Sequence, residues 1–144
     1  MNAEQMWEIY SRKENIHSHY DAWSFGVDAD QLADLVLRGI KTATASAEPL
    51  YAVDGDTLPE VGQYSVVLNE AGEAVCIIRT ERVFTVPFDQ VDEFQAWKEG
   101  EGDRTLTYWR QVHKCVFSKW MEEEGLVFTE KMPVVCEEFV RVFP

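Results

Sequence analysis

The stretch from Gln63 to Ile78 constrains this chain most, because two short apolar runs, Gln63 to Leu68 and Ala74 to Ile78, flank Asn69-Glu70-Ala71-Gly72. Valine and isoleucine in runs of this length, bounded by Asn and Gly, read as two strands joined by a tight hairpin loop. The second strand continues through Thr80 to Val86. A hairpin makes the pairing antiparallel. Val134 to Phe143, rich in β-branched and aromatic residues behind Pro133, adds another strand. Lys41-Thr42-Ala43-Thr44-Ala45-Ser46 alternates small and hydroxyl residues with period two and adds one more.

Helical signals surround these strands. Met6, Trp7, Ile9 and Tyr10 fit a short packed helix. Asp28 or Asp30 caps a second one, with Leu32, Leu35 and Val36 on one face and Gly39 where a helix stops. Asp89 to Trp97 reads as a short helix. Asp103 or Thr105 caps the longest, in which Leu106, Trp109, Val112, Val116 and Trp120 recur at three- and four-residue steps before Gly125. Pro49, Asp54-Gly55, Pro59 and Gly62 mark residues 47–62 as a long structured loop, and Lys98 to Asp103 as a flexible acidic turn. No repeat or linker divides the 144 residues. The expectation is a single domain over 1–144, with a helical extension at 1–22, in the α+β class. Its mainly antiparallel sheet forms a small barrel that closes its own edges.

Asp and Glu number 26 against 13 Lys and Arg, a formal net charge of −13. That balance repels polyphosphate, so duplex nucleic acid is not an expected partner. A hydrophobic share of 46% argues against disorder. No apolar run approaches the roughly 20 residues of a membrane span, and the polar N-terminus lacks the apolar core of a secretory signal. A cytoplasmic location without membrane contact follows as the expectation. Cys76, Cys115 and Cys136 are odd in number and far apart, which fits reduced, buried thiols. His17, His19 and Asp21 lie close together without a fourth ligand, so no metal and no cofactor is expected. Residues 47–73 carry six acidic groups and no Lys or Arg. Arg38, Lys41, Arg79, Arg82, Arg104, Arg110 and Lys114 are therefore expected to leave a local positive cleft for one nucleotide.

Lys41 and Thr44 follow directly on a helix stop among small side chains, which leaves space for a ligand. A desolvated amine can activate a neighbouring hydroxyl. The alternative is a surface lysine beside a strand threonine selected for β propensity. Glu99 and Glu101 lie between glycines that let a carboxylate turn into a cleft, or they belong to a solvated loop. His113, beside the apolar stripe of the long helix, has the pattern of a hydrogen-bonded packing residue.

Taken in order, Trp23-Ser24-Phe25-Gly26, the helix Leu32 to Arg38, Gly39-Ile40-Lys41-Thr42-Ala43-Thr44, Glu99-Gly100-Glu101-Gly102-Asp103, Tyr108-Trp109-Arg110 and His113 resemble an ASCH-domain protein. The match is with the larger bacterial branch, formerly known only as a domain of unknown function, and runs from about Trp23 to Phe143. It implies a barrel like that of the PUA RNA-binding domain, with a cleft over the Gly-x-Lys-x-x-Thr segment. Family members are proposed to bind RNA. One bacterial branch hydrolyses the amide of acetylcytidine, and another is associated with RNA cleavage. Carried over by motif, the catalytic groups are Lys41, Thr44 and Glu101, a small shift choosing Glu99 or Asp103 instead. Trp23, Phe25, Asp103, Trp109, Arg110 and His113 from the matching segments, with Arg79 of the long strand, are the expected substrate-binding groups. The family motif commonly continues to an arginine where this chain has Ser46. The resemblance thus implies a hydrolase for an amide of a modified nucleoside, or else a non-catalytic RNA-binding module or a ribonuclease. The partner is a small nucleoside or single-stranded RNA.

Overall fold

The computed structural model describes residues 1–144. Helix α1, Ala3–Glu14, begins at a capping box in which the Asn2 side chain accepts from the Gln5 N–H and the Gln5 side chain accepts from the Asn2 N–H. It ends where Asn15 turns left-handed at φ 54°. The helical extension expected over 1–22 is therefore shorter, and Tyr20–Ser24 is a strand, β1. Helix α2 spans Ala29–Leu37 and packs Ala33 and Val36 inward. Neither proposed aspartate caps it. Asp28 sits at the cap position but makes no capping bond, while Asp30 accepts from the Glu70 N–H at 2.8 Å and ties α2 to the hairpin.

Strand β2, Ala43–Ala47, leads straight into α3, Glu48–Asp54. Sequence punctuation suggested a loop here. Pro49 instead occupies the first helical turn, where its missing N–H has no partner to lose, and Gly55 closes the helix in the left-handed region at φ 71°. Strands β3, Tyr64–Leu68, and β4, Ala74–Pro87, form the expected hairpin. A short 3-10 turn at Phe88–Gln90 precedes α4, Glu93–Glu99. Helix α5, Leu106–Glu123, is capped by Thr105, whose hydroxyl accepts from the Tyr108 N–H at 3.2 Å. Strand β5 runs from Pro133 to Phe143.

The sheet order is β1-β3-β4-β5-β2, antiparallel except for the parallel β1–β3 pair. Strand β4 pairs with both β3 and β5, and register shifts at Ile77/Ile78 and Thr80/Arg82 interrupt its ladder with β5. Such bulges bend and twist a strand, and the sheet curls into a half-barrel. The α+β, mainly antiparallel class is as expected, but β1 and β2 are edges that do not pair with each other. Val66 and Ile77 face α1, while Val67, Cys76 and Ile78 face α2, so the strand alternation buries both sides of the hairpin. A third cluster packs Phe88, Trp109, Phe117 and Met121 against Val134 and Cys136. Cys76 and Cys136 are buried, whereas Cys115 is exposed on α5. No helix is long and apolar enough to cross a membrane.

Candidate functional site

The end of α2 sets the geometry of Lys41. Gly39 adopts φ 77°, and the Ile40 and Lys41 N–H groups both return to the Leu35 carbonyl, at 2.9 and 3.1 Å. This left-handed reversal, inexpensive only for glycine, sends the chain across the molecule. The Thr42 N–H then reaches the Lys98 carbonyl at 2.7 Å, which docks the start of β2 on α4. Lys41 is 1% exposed. Its Nζ lies 2.8 Å from Glu101 Oε2 and 3.5 Å from Glu99 Oε1.

The acidic turn that supplies these carboxylates is tightly packed, contrary to the flexible segment that its glycines suggested. Gly100 has φ 73°, and a β-carbon there would stand 2.7 Å from the Ile40 carbonyl oxygen. The glycine thus permits close approach as well as a left-handed turn. Glu99 is 1% exposed, and it accepts from Gln95 Nε2 at 3.1 Å and from Trp109 Nε1. His113 Nε2 lies 3.5 Å from its other oxygen. Burial would raise the Glu99 pKa, but the Lys41 charge, followed by the His113 and Trp109 contacts, overcomes this and holds it at about 2. For His113 burial acts downward, and the Glu99 hydrogen bond and charge reverse it, leaving the imidazole above its usual value. His113 also stacks on Trp109 at 4.1 Å between ring centroids.

Beside this cluster, a cavity of about 750 Å³ opens between the unpaired edges β1 and β2. Trp23 and Phe25 form one wall, Thr44 and Ser46 another, with Leu50 and Tyr51 of α3 and Trp120 of α5 around the rim. Phe25 joins the two regions, because it lines the cavity and lies 5.4 Å from Lys41 Nζ. Gln95 links them as well. Its amide donates to the Thr44 carbonyl at 3.2 Å and to Glu99.

The residues singled out from sequence thus separate into three groups. Lys41, Glu101, Trp109 and His113 converge in the buried cluster, and Trp23, Phe25 and Thr44 line the cavity. Arg79, Asp103 and Arg110 join neither. Arg79 pairs with Glu81 at 2.7 Å, and Asp103 accepts from the Thr105 N–H at 3.0 Å beside the α5 cap. Arg110 clamps the turn after β4 by donating to the carbonyls of Phe88, Asp89 and Val91. The expected positive cleft is absent as well. No lysine or arginine lines the cavity, which instead carries Asp21, Asp54, Asp56, Glu123, Glu124 and Glu137. Sequence reading missed Gln95, Tyr51 and Glu137. Glu137 left a signal, since it interrupts the run Val134-Val135-Cys136 on a strand otherwise built for burial.

The ASCH domain family model matches residues 21–143. The chain belongs to the ASCH domain family. Among solved structures, it is 37% identical to an ASCH domain from Lactobacillus crispatus JV V101, with TM-score 0.88 over 98% of this chain and 91% of that one. It is 33% identical to protein EF3133 from Enterococcus faecalis V583, with TM-score 0.91 over 99% of this chain and 88% of that one. The hypothetical protein PH0355, at 15% identity and TM-score 0.56 over 84% of this chain and 99% of that one, shares the fold alone. No curated protein matches. The ASCH model match starts at Asp21, within β1, whereas the two more similar structures align over nearly the whole chain.

Proposed function

We propose that this ASCH protein hydrolyses an amide of an acylated nucleoside, of the acetylcytidine kind. The observation that carries the reading is the 2.8 Å contact between Lys41 and Glu101 next to a cavity lined by Thr44. A volume of about 750 Å³ suits a nucleoside-sized ligand. The aromatic wall of Trp23 and Phe25 offers stacking to a base. Lys41 first passes a proton to Glu101 and then takes the proton of the Thr44 hydroxyl as its oxygen attacks the acyl carbon. Glu101 protonates the leaving nitrogen as the C–N bond breaks. Water then cleaves the acyl-threonine, releases the acid and restores the hydroxyl. Phe25 touches both regions, lining the cavity and lying 5.4 Å from Lys41 Nζ, and the mechanism requires the amine to reach Thr44 past this ring.

The test is release of cytidine from acetylcytidine and from a panel of acylated nucleosides, followed by chromatography. Thr44→Ala and Glu101→Gln are each expected to lower the rate about 100-fold or more. Wild-type turnover no faster than that of Thr44→Ala rejects the reading. A second reading, single-stranded RNA binding, rests on a different surface. Phe94 and Trp97 are exposed on α4, and Arg104 lies 3.6 Å over the Trp97 ring, an arrangement suited to base stacking. Titration with single-stranded RNA at two salt concentrations tests it, and Trp97→Ala is expected to weaken binding.

A further inference from the structure

The floor of the cavity holds a group with no part in that mechanism. Glu137 lies on β5 directly opposite Thr44 of β2, and cross-strand neighbours in an antiparallel ladder present their side chains to the same face. It is 9% exposed, lines the cavity, and accepts at Oε1 from the Thr80 hydroxyl at 2.5 Å. Thr80 is its one hydrogen-bond partner in the protein, and no cation answers it. The titratable groups sharing its cavity are Asp21 from β1, Tyr51 and Asp54 from α3, Asp56 beyond it, and Glu123 and Glu124 from α5. Thr44 and Ser46 of β2, Ser65 of β3 and Gln63 just before β3 carry no charge. The cavity therefore offers Glu137 carboxyl and hydroxyl groups but no cation to favour its charged form. Glu138, next along the strand, has the opposite circumstances, with Arg82 at 2.6 Å and Lys98 at 2.8 Å.

We infer that Glu137 is a ligand-reading residue whose protonated form donates from its free oxygen to an uncharged acceptor of the ligand, a ring nitrogen or carbonyl, beside Thr44. Burial acts in the same direction by pushing its pKa up, only partly opposed by the Thr80 hydrogen bond. A ligand bearing an anionic group at this depth meets the acidic lining and is rejected. The inference rests on the cavity being the ligand site, as the proposed hydrolysis requires, but not on Thr44 being a nucleophile.

Binding and turnover are measured separately, with cytidine affinity and acetylcytidine hydrolysis each followed from about pH 5 to about pH 9, for wild type, Glu137→Gln and Glu137→Ala. Wild-type affinity for cytidine is expected to fall as pH rises through the Glu137 titration, while Glu137→Gln, a donor that does not ionise, binds with little pH dependence. Glu137→Ala is expected to bind about 10-fold more weakly at the acid end. Thermal melting checks that both variants are folded. A pH-independent wild-type affinity, a folded Glu137→Gln as weak as Glu137→Ala, or no nucleoside binding at any pH overturns the inference. Intact pH-dependent binding without hydrolysis keeps it and removes the hydrolase reading. Hydrolysis unaffected by either Glu137 variant does the reverse.

Discussion

Glu99 and Glu137 are the same side chain at similar depth, 1% and 9% exposed, and their acidities move in opposite directions. Glu99 faces Lys41, His113 and the Trp109 indole, so its charge is compensated on every side. Glu137 faces one threonine hydroxyl and a cavity ringed with carboxylates. Depth alone therefore does not decide whether a buried glutamate is charged. The partner decides it: one region is a closed cluster in which carboxylate and cation compensate each other, the other an open cavity whose carboxylates meet no cation.

Removing the cation is the severest way to break this contrast. Lys41→Ala leaves Glu99 buried without its principal counter-charge and is expected to cost about 3–5 kcal/mol, read by urea unfolding. Glu99→Gln keeps the shape and the Gln95 and Trp109 partners but deletes the charge, at an expected cost of about 2 kcal/mol near neutral pH. The sign follows from the lowered pKa. The Glu99 charge stabilises the fold above the unfolded value and loses that contribution as pH falls from about 4.5 to about 2. Wild type and Glu99→Gln are thus expected to converge in stability across that interval. Gly100→Ala tests the turn that presents both carboxylates. The left-handed conformation alone costs about 1–2 kcal/mol, and the approach to the Ile40 carbonyl adds to it, so melting temperature and hydrolysis are expected to fall together. The smallest effect on stability is at Glu137, with the sign reversed. Its raised pKa means that stability is fullest below the unfolded value and is lost as pH rises to the folded one. Glu137→Gln is expected to be unfolded by urea no more easily than wild type at neutral pH, and to gain up to about 1 kcal/mol.

The elements legible in the sequence were those whose signals are local. The β3–β4 hairpin, the stop at Gly39 and the apolar stripe of α5 follow from turn chemistry and helical period within a few residues of one another. Strand β1 was not legible, because Tyr20–Ser24 becomes a strand by pairing with residues 64–68. Helix α3 was concealed by proline and glycine, which serve as its first turn and its cap. Lys41 and Thr44 stood out by their place after a helix stop, but which carboxylates of the acidic turn meet Lys41 was not legible, and the fold brings both Glu99 and Glu101 to it. Arg79 and Arg110 were not separable from ligand-binding cations, since an arginine that clamps carbonyls or pairs with Glu81 looks the same in the chain.

Composition and short-range pattern suffice to specify an acidic α+β domain with a Gly-x-Lys-x-x-Thr bend between helix and strand. The states of the two glutamates are decided only in the folded molecule. Lys41 meets Glu99 across 58 residues, and Thr80 meets Glu137 across 57. The energy of a buried charge depends on what stands within a few ångströms in space, and neighbours along the chain carry almost none of that information.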